Sequence, residues 1–72
     1  MSRGKRLSHR IAHRAMELLE AWGVEYTIWN AIESLDPSCK FIELEVDDSD
    51  WPKFVDAVEM AEAESIMEDY DR

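Results

Sequence analysis

The sequence predicts an α+β fold: a small α-β-β-α domain whose antiparallel hairpin has two helices packed on one face. Three observations support this prediction. Apolar residues recur at helical spacing over residues 7–22, apolar and acidic residues alternate over residues 40–47, and helix-capping residues precede a second helical pattern after residue 50. Because a lone two-stranded hairpin is marginally stable, we expect both helices to cover the same face of it.

The N-terminal part divides into a tail and a helix. Residues 1–6 (MSRGKR) are expected to form a flexible basic arm, and residues 7–72 a single α+β domain. A helix is predicted over residues 7–22, with Ser8 as a candidate N-cap and Gly23 as the left-handed residue that ends it.

The segment after this helix fits two patterns. A strand over about residues 25–33 is preferred, because its early residues favour strands. However, Ile28, Ala31, Ile32 and Leu35 also fit the spacing of a helix, so both alternatives stay open for residues 28–35.

The strand over residues 40–47 has the clearest pattern, because apolar residues from Ile42 to Val46 alternate with acids from Glu43 to Asp47. The two predicted strands pair as a hairpin, whose edges stay open to a second copy or a partner.

The second helix is expected to begin near Ser49 or Asp50, where acids and a following Pro52 are typical of a helix N-terminus. It carries two apolar stripes. The stripe expected in the core is Trp51, Phe54, Val55, Val58 and Ala61, and the second stripe is Met60, Ala63, Met67 and Tyr70.

Charge is the most informative feature of the composition. The net charge is −9, yet the first fourteen residues carry five cations and no acid. A body this acidic repels nucleic acid and anionic membranes and attracts basic surfaces. We expect the basic start of the first helix to meet the acidic second helix of the same chain.

Few features of the sequence indicate a chemical activity. Two glycines are too few for a glycine-rich phosphate loop, no nucleophile has a spaced base, and the small core leaves little room for a pocket, so we expect no enzyme and no cofactor. His9 and His13 have metal-ligand spacing but lack a third ligand, so no metal site is predicted. The single cysteine, Cys39, excludes an internal disulfide and fits a reducing, cytoplasmic location.

The acids that capping does not explain predict a binding surface. Alternate strand residues lie about 6.7 Å apart, close to the rise of two phosphates along one DNA strand, about 3.4 Å each. Rows of carboxylates can therefore occupy the cations of a nucleic-acid-binding surface. The predicted partner-binding residues are Glu43, Glu45, Asp56, Glu59, Glu62, Glu64, Met67, Glu68, Asp69 and Tyr70.

The sequence thus favours a small inhibitor that occupies the basic surface of a nucleic-acid-handling protein, without touching nucleic acid or membrane itself. In size and charge the chain resembles small acidic proteins encoded by phages, anti-CRISPR proteins among them, and the likeness lies in composition alone. The alternative is a homodimeric structural or adaptor module that pairs through the second apolar stripe or through the sheet edges.

Overall fold

The fold consists of a three-stranded antiparallel sheet and two helices, in the order β1–α1–β2–β3–α2. The computed structural model describes the backbone of residues 1–70 and the side chains of residues 1–65. The elements are β1 (Ser2–Ser8), α1 (His9–Ala21), β2 (Thr27–Ile28), β3 (Phe41–Asp47) and α2 (Trp51–Tyr70). The predicted α+β class, with a hairpin and two helices, is confirmed, and the sheet has one strand more than expected.

The additional strand is β1, and it replaces the flexible arm predicted for residues 1–6. It pairs with β3, which lies at the centre of the sheet, and Leu7 faces Ile42 in this pairing. Leu7 is buried, and the arginines that suggested a solvated tail contact acids, Arg6 at Glu43 and Arg3 at Asp48. The prediction was wrong because the partners that order this segment lie about forty residues away in sequence.

Helix α1 begins and ends where local chemistry dictates. The Ser8 hydroxyl accepts a hydrogen bond from the backbone N–H of Ile11, so the helix begins at His9 rather than Leu7. Gly23 has a φ of 72°, and the N–H of Val24 donates to the carbonyl of Leu19 at 2.8 Å. This C-terminal stop confirms the role predicted for Gly23.

The strand predicted over residues 25–33 is reduced to Thr27–Ile28, and the rest of the segment is neither strand nor α-helix. Asn30 explains the early end. Its side-chain amide donates to the carbonyl of Phe41 and accepts from the N–H of Glu43, so a side chain occupies β3 groups that a longer strand would bind. The chain then turns away through a short 3-10 turn, Glu33–Leu35.

Strand β3 and helix α2 follow the sequence pattern closely. The predicted strand is confirmed, and Asp47 at its end accepts a hydrogen bond from the N–H of Ser49. Residues Asp48–Asp50 form a 3-10 turn, so α2 begins at Trp51, directly after the predicted start near Ser49 or Asp50. Asp47 therefore caps the 3-10 turn that leads into α2.

One contiguous core lies between the helices and one face of the sheet. Helix α1 packs against α2, and both contact β3. The buried residues that form the core are Leu7, Ala12, Ala15, Met16, Leu18, Leu19, Val24, Ile42, Leu44, Val46, Phe54, Ala57 and Val58. The opposite face of the sheet, which we call the open face, has no helix over it in the described part of the chain.

Candidate protein-binding surface

The predicted partner-binding acids lie on two different sides of the domain. Glu43 and Glu45 alternate with the buried residues of β3 and therefore lie on the open face. The remaining acids belong to α2, which covers the other face of the sheet. Met67, Glu68, Asp69 and Tyr70 lie outside the residues whose side chains are described. The acids thus form two surfaces where the sequence predicted one.

Two of the predicted acids are bound within the chain itself. Arg6 donates from Nε and Nη2 to Oε1 of Glu43, at 3.1 and 2.9 Å. Arg14 donates from Nε and Nη2 to the two carboxylate oxygens of Glu64, at 2.6 and 3.1 Å, and from Nη1 to Glu17 at 3.0 Å. The pair of hydrogen bonds from Arg14 to Glu64 confirms the expected contact between basic α1 and acidic α2.

The bond between Arg14 and Glu64 also changes the titration of both groups. The hydrogen bond from Arg14 lowers the pKa of the Glu64 carboxyl below its usual value of 4.5. The same bond, with help from Glu17, raises the pKa of Arg14. Glu64 therefore links the two helices, and both Glu64 and Glu43 are less available to a partner than the exposed acids are.

Three of the predicted acids form an exposed row on α2. We call Asp56, Glu59 and Glu62 the acidic ridge; all three are exposed, and no ion pair joins them to any cation among the described side chains. Residues three apart in a helix are neighbours on its surface, and like charges at that spacing destabilise the helix slightly. The helix therefore carries a cluster of like charges that its own stability does not require.

The open face and the segment between β2 and β3 carry large exposed apolar side chains, which were not among the predicted binding residues. Trp29 is 67% exposed and Phe41 is 47% exposed. Ile32 and Leu35, in the segment between β2 and β3, are each 83% exposed. One signal was available, because Phe41 is in phase with Glu43 and Glu45 and so lies on the polar face of the strand.

A shallow groove runs across the open face between Trp29 and β1. Its lining consists of Gly4, Lys5, Arg6, Trp29, Glu43, Leu44 and Glu45. Gly4 lies directly opposite Glu45 in the pairing of β1 with β3. Since glycine has no side chain, the space beside the Glu45 carboxylate stays open on the β1 side.

The second apolar stripe of α2 is described only in part. Met60 is 44% exposed and Ala63 is exposed, which fits a stripe outside the core. The other two residues of the predicted stripe, Met67 and Tyr70, lie outside the described side chains.

His9 and Cys39 have local structural roles. The Nε2–H of His9 donates to the carbonyl of Cys39 at 2.9 Å, which ties α1 to the segment before β3. The Cys39 thiol donates to the carbonyl of Phe41 at 3.1 Å. Across the described residues, no group of three histidine, cysteine or acidic side chains is arranged to hold a metal ion.

Neither helix, over its described residues, combines the length and apolar character that a membrane span requires. Comparison with protein-family models, with curated proteins and with solved structures finds no match to this chain. The two surfaces that the fold leaves available to a partner are the acidic ridge and the open face.

Proposed function

We propose that this protein is a small acidic binding module that inhibits a nucleic-acid-handling protein by occupying its basic surface. The observation that carries the proposal is the acidic ridge, in which Asp56, Glu59 and Glu62 are exposed and form no ion pair with a described cation. Two other acids of the predicted set, Glu43 and Glu64, are bound by arginines of the chain. Among the predicted acids with described side chains, the ridge is therefore the largest group on one surface that forms no ion pair.

The spacing of the ridge suits a row of cations. Residues three apart in a helix are separated by roughly 4.5 Å along its axis, so the three carboxylates cover about 9 Å. Lysines and arginines that follow a nucleic-acid backbone are spaced by phosphates of similar separation. The strand pair Glu43 and Glu45 no longer supplies such a row, because Arg6 already binds Glu43.

A contact of this kind has a characteristic dependence on salt. Opposite charge on two surfaces accelerates their association, and dissolved salt screens that attraction beyond about 8–10 Å. Binding through the ridge is therefore expected to be fast at low ionic strength and to slow steeply as salt is added.

The test uses two triple variants with the same change in net charge. In the ridge variant, Asp56→Asn, Glu59→Gln and Glu62→Gln neutralise the row. In the matched control, Glu20→Gln, Glu25→Gln and Glu33→Gln neutralise three exposed acids elsewhere. Each protein is immobilised and used to capture proteins from a lysate of the source organism at low and high salt, and the captured protein is then assayed for nucleic-acid binding.

We expect the native protein and the control variant to capture a nucleic-acid-binding protein and to displace its DNA or RNA. The ridge variant is expected to lose at least tenfold in association rate at low salt, within the range by which electrostatic steering accelerates association. Equal capture by both variants contradicts the proposal, and so does a captured protein that still binds its nucleic acid.

The alternative function is a homodimeric adaptor, and one observation favours it. Ile32 and Leu35 are almost fully exposed, although large apolar side chains are more stable when buried. A second copy could cover them. Light scattering of the native protein and of an Ile32→Ser/Leu35→Ser variant tests this alternative, which fails if the native protein is a monomer at concentrations well above those in a cell.

A further inference from the structure

We infer that the groove of the open face is a binding site for an arginine side chain of a protein partner, with Trp29 and Glu45 as the receiving groups. The inference extends the proposed function, since both take the partner to be cationic, but it concerns the face of the domain opposite to the acidic ridge. The molecule twice combines an arginine of its own with a carboxylate and an aromatic ring.

The first of these combinations is on the open face. Arg6 donates two hydrogen bonds to Glu43, and its guanidinium carbon lies 5.8 Å from the centre of the Phe41 ring. In the pairing of β1 with β3, Glu43 is directly opposite Arg6 and Phe41 is the diagonal neighbour. A carboxylate thus binds the guanidinium while an aromatic ring contacts its flat surface.

The second combination lies at the start of α2. Arg3 contacts Asp48 at 2.7 Å, and its guanidinium carbon lies 5.6 Å from the centre of the Trp51 ring. The three groups are again an arginine, a carboxylate and an aromatic ring. Two instances in so small a protein show that its surface can hold a guanidinium in this way.

A third ring and carboxylate share the groove, without an arginine that binds them. The N–H of Trp29 donates to the carbonyl of Glu43, which continues the pairing of β2 with β3 and makes Glu45 the diagonal neighbour of Trp29. Such diagonal neighbours are about 7–8 Å apart, within reach of long side chains. Among the described side chains, no cation forms an ion pair with Glu45, and Trp29 is 67% exposed.

The charge and shape of the groove favour arginine over other ligands. Arg6 is matched by Glu43. Lys5 borders the groove, but it pairs with buried Leu44 and also lines a depression with residues of α2, so its side chain belongs to the other face of the sheet. Glu45 therefore leaves the groove negative, which disfavours a nucleic-acid phosphate. A flat guanidinium can stack on indole and donate two hydrogen bonds to a carboxylate, whereas an ammonium cannot do both.

The experiment titrates the folded protein with two defined peptides, acetyl-GRGRGR-amide and acetyl-GKGKGK-amide, and follows the indole N–H signals by NMR. Trp29→Phe assigns its signal among the three tryptophans. We compare the native protein with Glu45→Gln and with Glu25→Gln, an exposed acid outside the groove that makes the same change in charge.

We expect the arginine peptide to shift the Trp29 indole signal at concentrations at least threefold lower than the lysine peptide. Glu45→Gln is expected to weaken that binding at least threefold, and Glu25→Gln to leave it unchanged. Equal responses to the two peptides, or an equal response from the two variants, overturn the inference. If Trp29 does not respond while backbone signals of Asp56, Glu59 and Glu62 do, the groove is excluded and the proposed function of the ridge stands.

Discussion

The two faces of β3 show how one strand serves two purposes. On the face covered by the helices, Ile42, Leu44 and Val46 are almost completely buried. On the open face, Phe41 is exposed and Glu45 is half-buried, although each lies next to a buried residue in sequence. Successive side chains of a strand point to opposite sides, so neighbouring residues here experience an apolar core and water.

The difference between the faces separates stability from recognition. Each apolar side chain fully buried on the covered face contributes about 1.5–3 kcal/mol relative to an exposed one. The open face contributes little of this kind, because its rings remain in contact with water. Its side chains can therefore be changed at small cost, and the following predictions test that separation in order of expected effect.

The largest effect is expected from Leu44→Ala. Leu44 is fully buried at the centre of the covered face, so its truncation is expected to cost about 2–5 kcal/mol of unfolding free energy. Urea denaturation followed by circular dichroism measures this cost. Glu45→Ala, one residue away on the open face, is the control and is expected to change stability by less than about 0.5 kcal/mol. Similar losses of unfolding free energy in the two variants would contradict the conclusion that the covered face, and not the open face, stabilises the fold.

A smaller loss of stability is expected from Gly4→Ala. Gly4 is an exception to the rule that residues of the open face can be changed at small cost. A methyl group at this position would lie 2.8 Å from the carbonyl oxygen of Leu44, so β1 and β3 must move apart. We expect a loss of about 1–3 kcal/mol, as for other overpacked sites. Ser2→Ala, on the same side of β1, is the control for the same denaturation measurement. If the Gly4→Ala variant is as stable as the native protein, the strands adjust without cost and the expectation is wrong.

A weaker effect concerns pH and the helices on the covered side. Because its folded-state pKa is lowered, Glu64 stabilises the fold fully above the unfolded value of 4.5, and this contribution is lost as pH falls through the folded value. The Glu64→Gln variant should therefore lose less stability than the native protein between about pH 5 and pH 3. Thermal unfolding at several pH values measures the difference. Glu62→Gln is the control, and equal pH dependence in the two variants would exclude the role assigned to Glu64.

The smallest effect on stability is expected from Trp29→Ser. Its ring is mostly exposed and its backbone N–H keeps the bond to Glu43, so the change should stay within about 0.5 kcal/mol. The same variant should lose the preference for the arginine peptide, measured by NMR through the backbone signals of β3. A loss of stability comparable to that of Leu44→Ala would place Trp29 in the core after all.

The sequence predicted the elements whose determinants are local. The alternation in β3, the stop at Gly23 and the acids before α2 all act within a few residues, and each appears in the structure. The end of β2 was missed because it depends on Asn30, whose side chain bonds to β3 more than ten residues away. Propensity scales do not describe such a contact.

The binding surface was predicted only in part, for the same physical reason. The charge of each acid is visible in the sequence, but its partner is not. Arg6 and Arg14 meet Glu43 and Glu64 across 37 and 50 residues, and only the fold reveals that these acids are already bound. Asp56, Glu59 and Glu62 keep the role that the sequence assigned to them as a proposal.

The place of β1 beside β3 has a consequence for synthesis on the ribosome. The first strand emerges before the strand that it needs, which follows only after roughly thirty further residues, a delay of about 2–6 seconds at 5–20 residues per second. During that interval the basic segment lacks the strand with which it pairs in the folded protein. The first strand made is therefore ordered only once β3 has been synthesised, and the sheet is completed late.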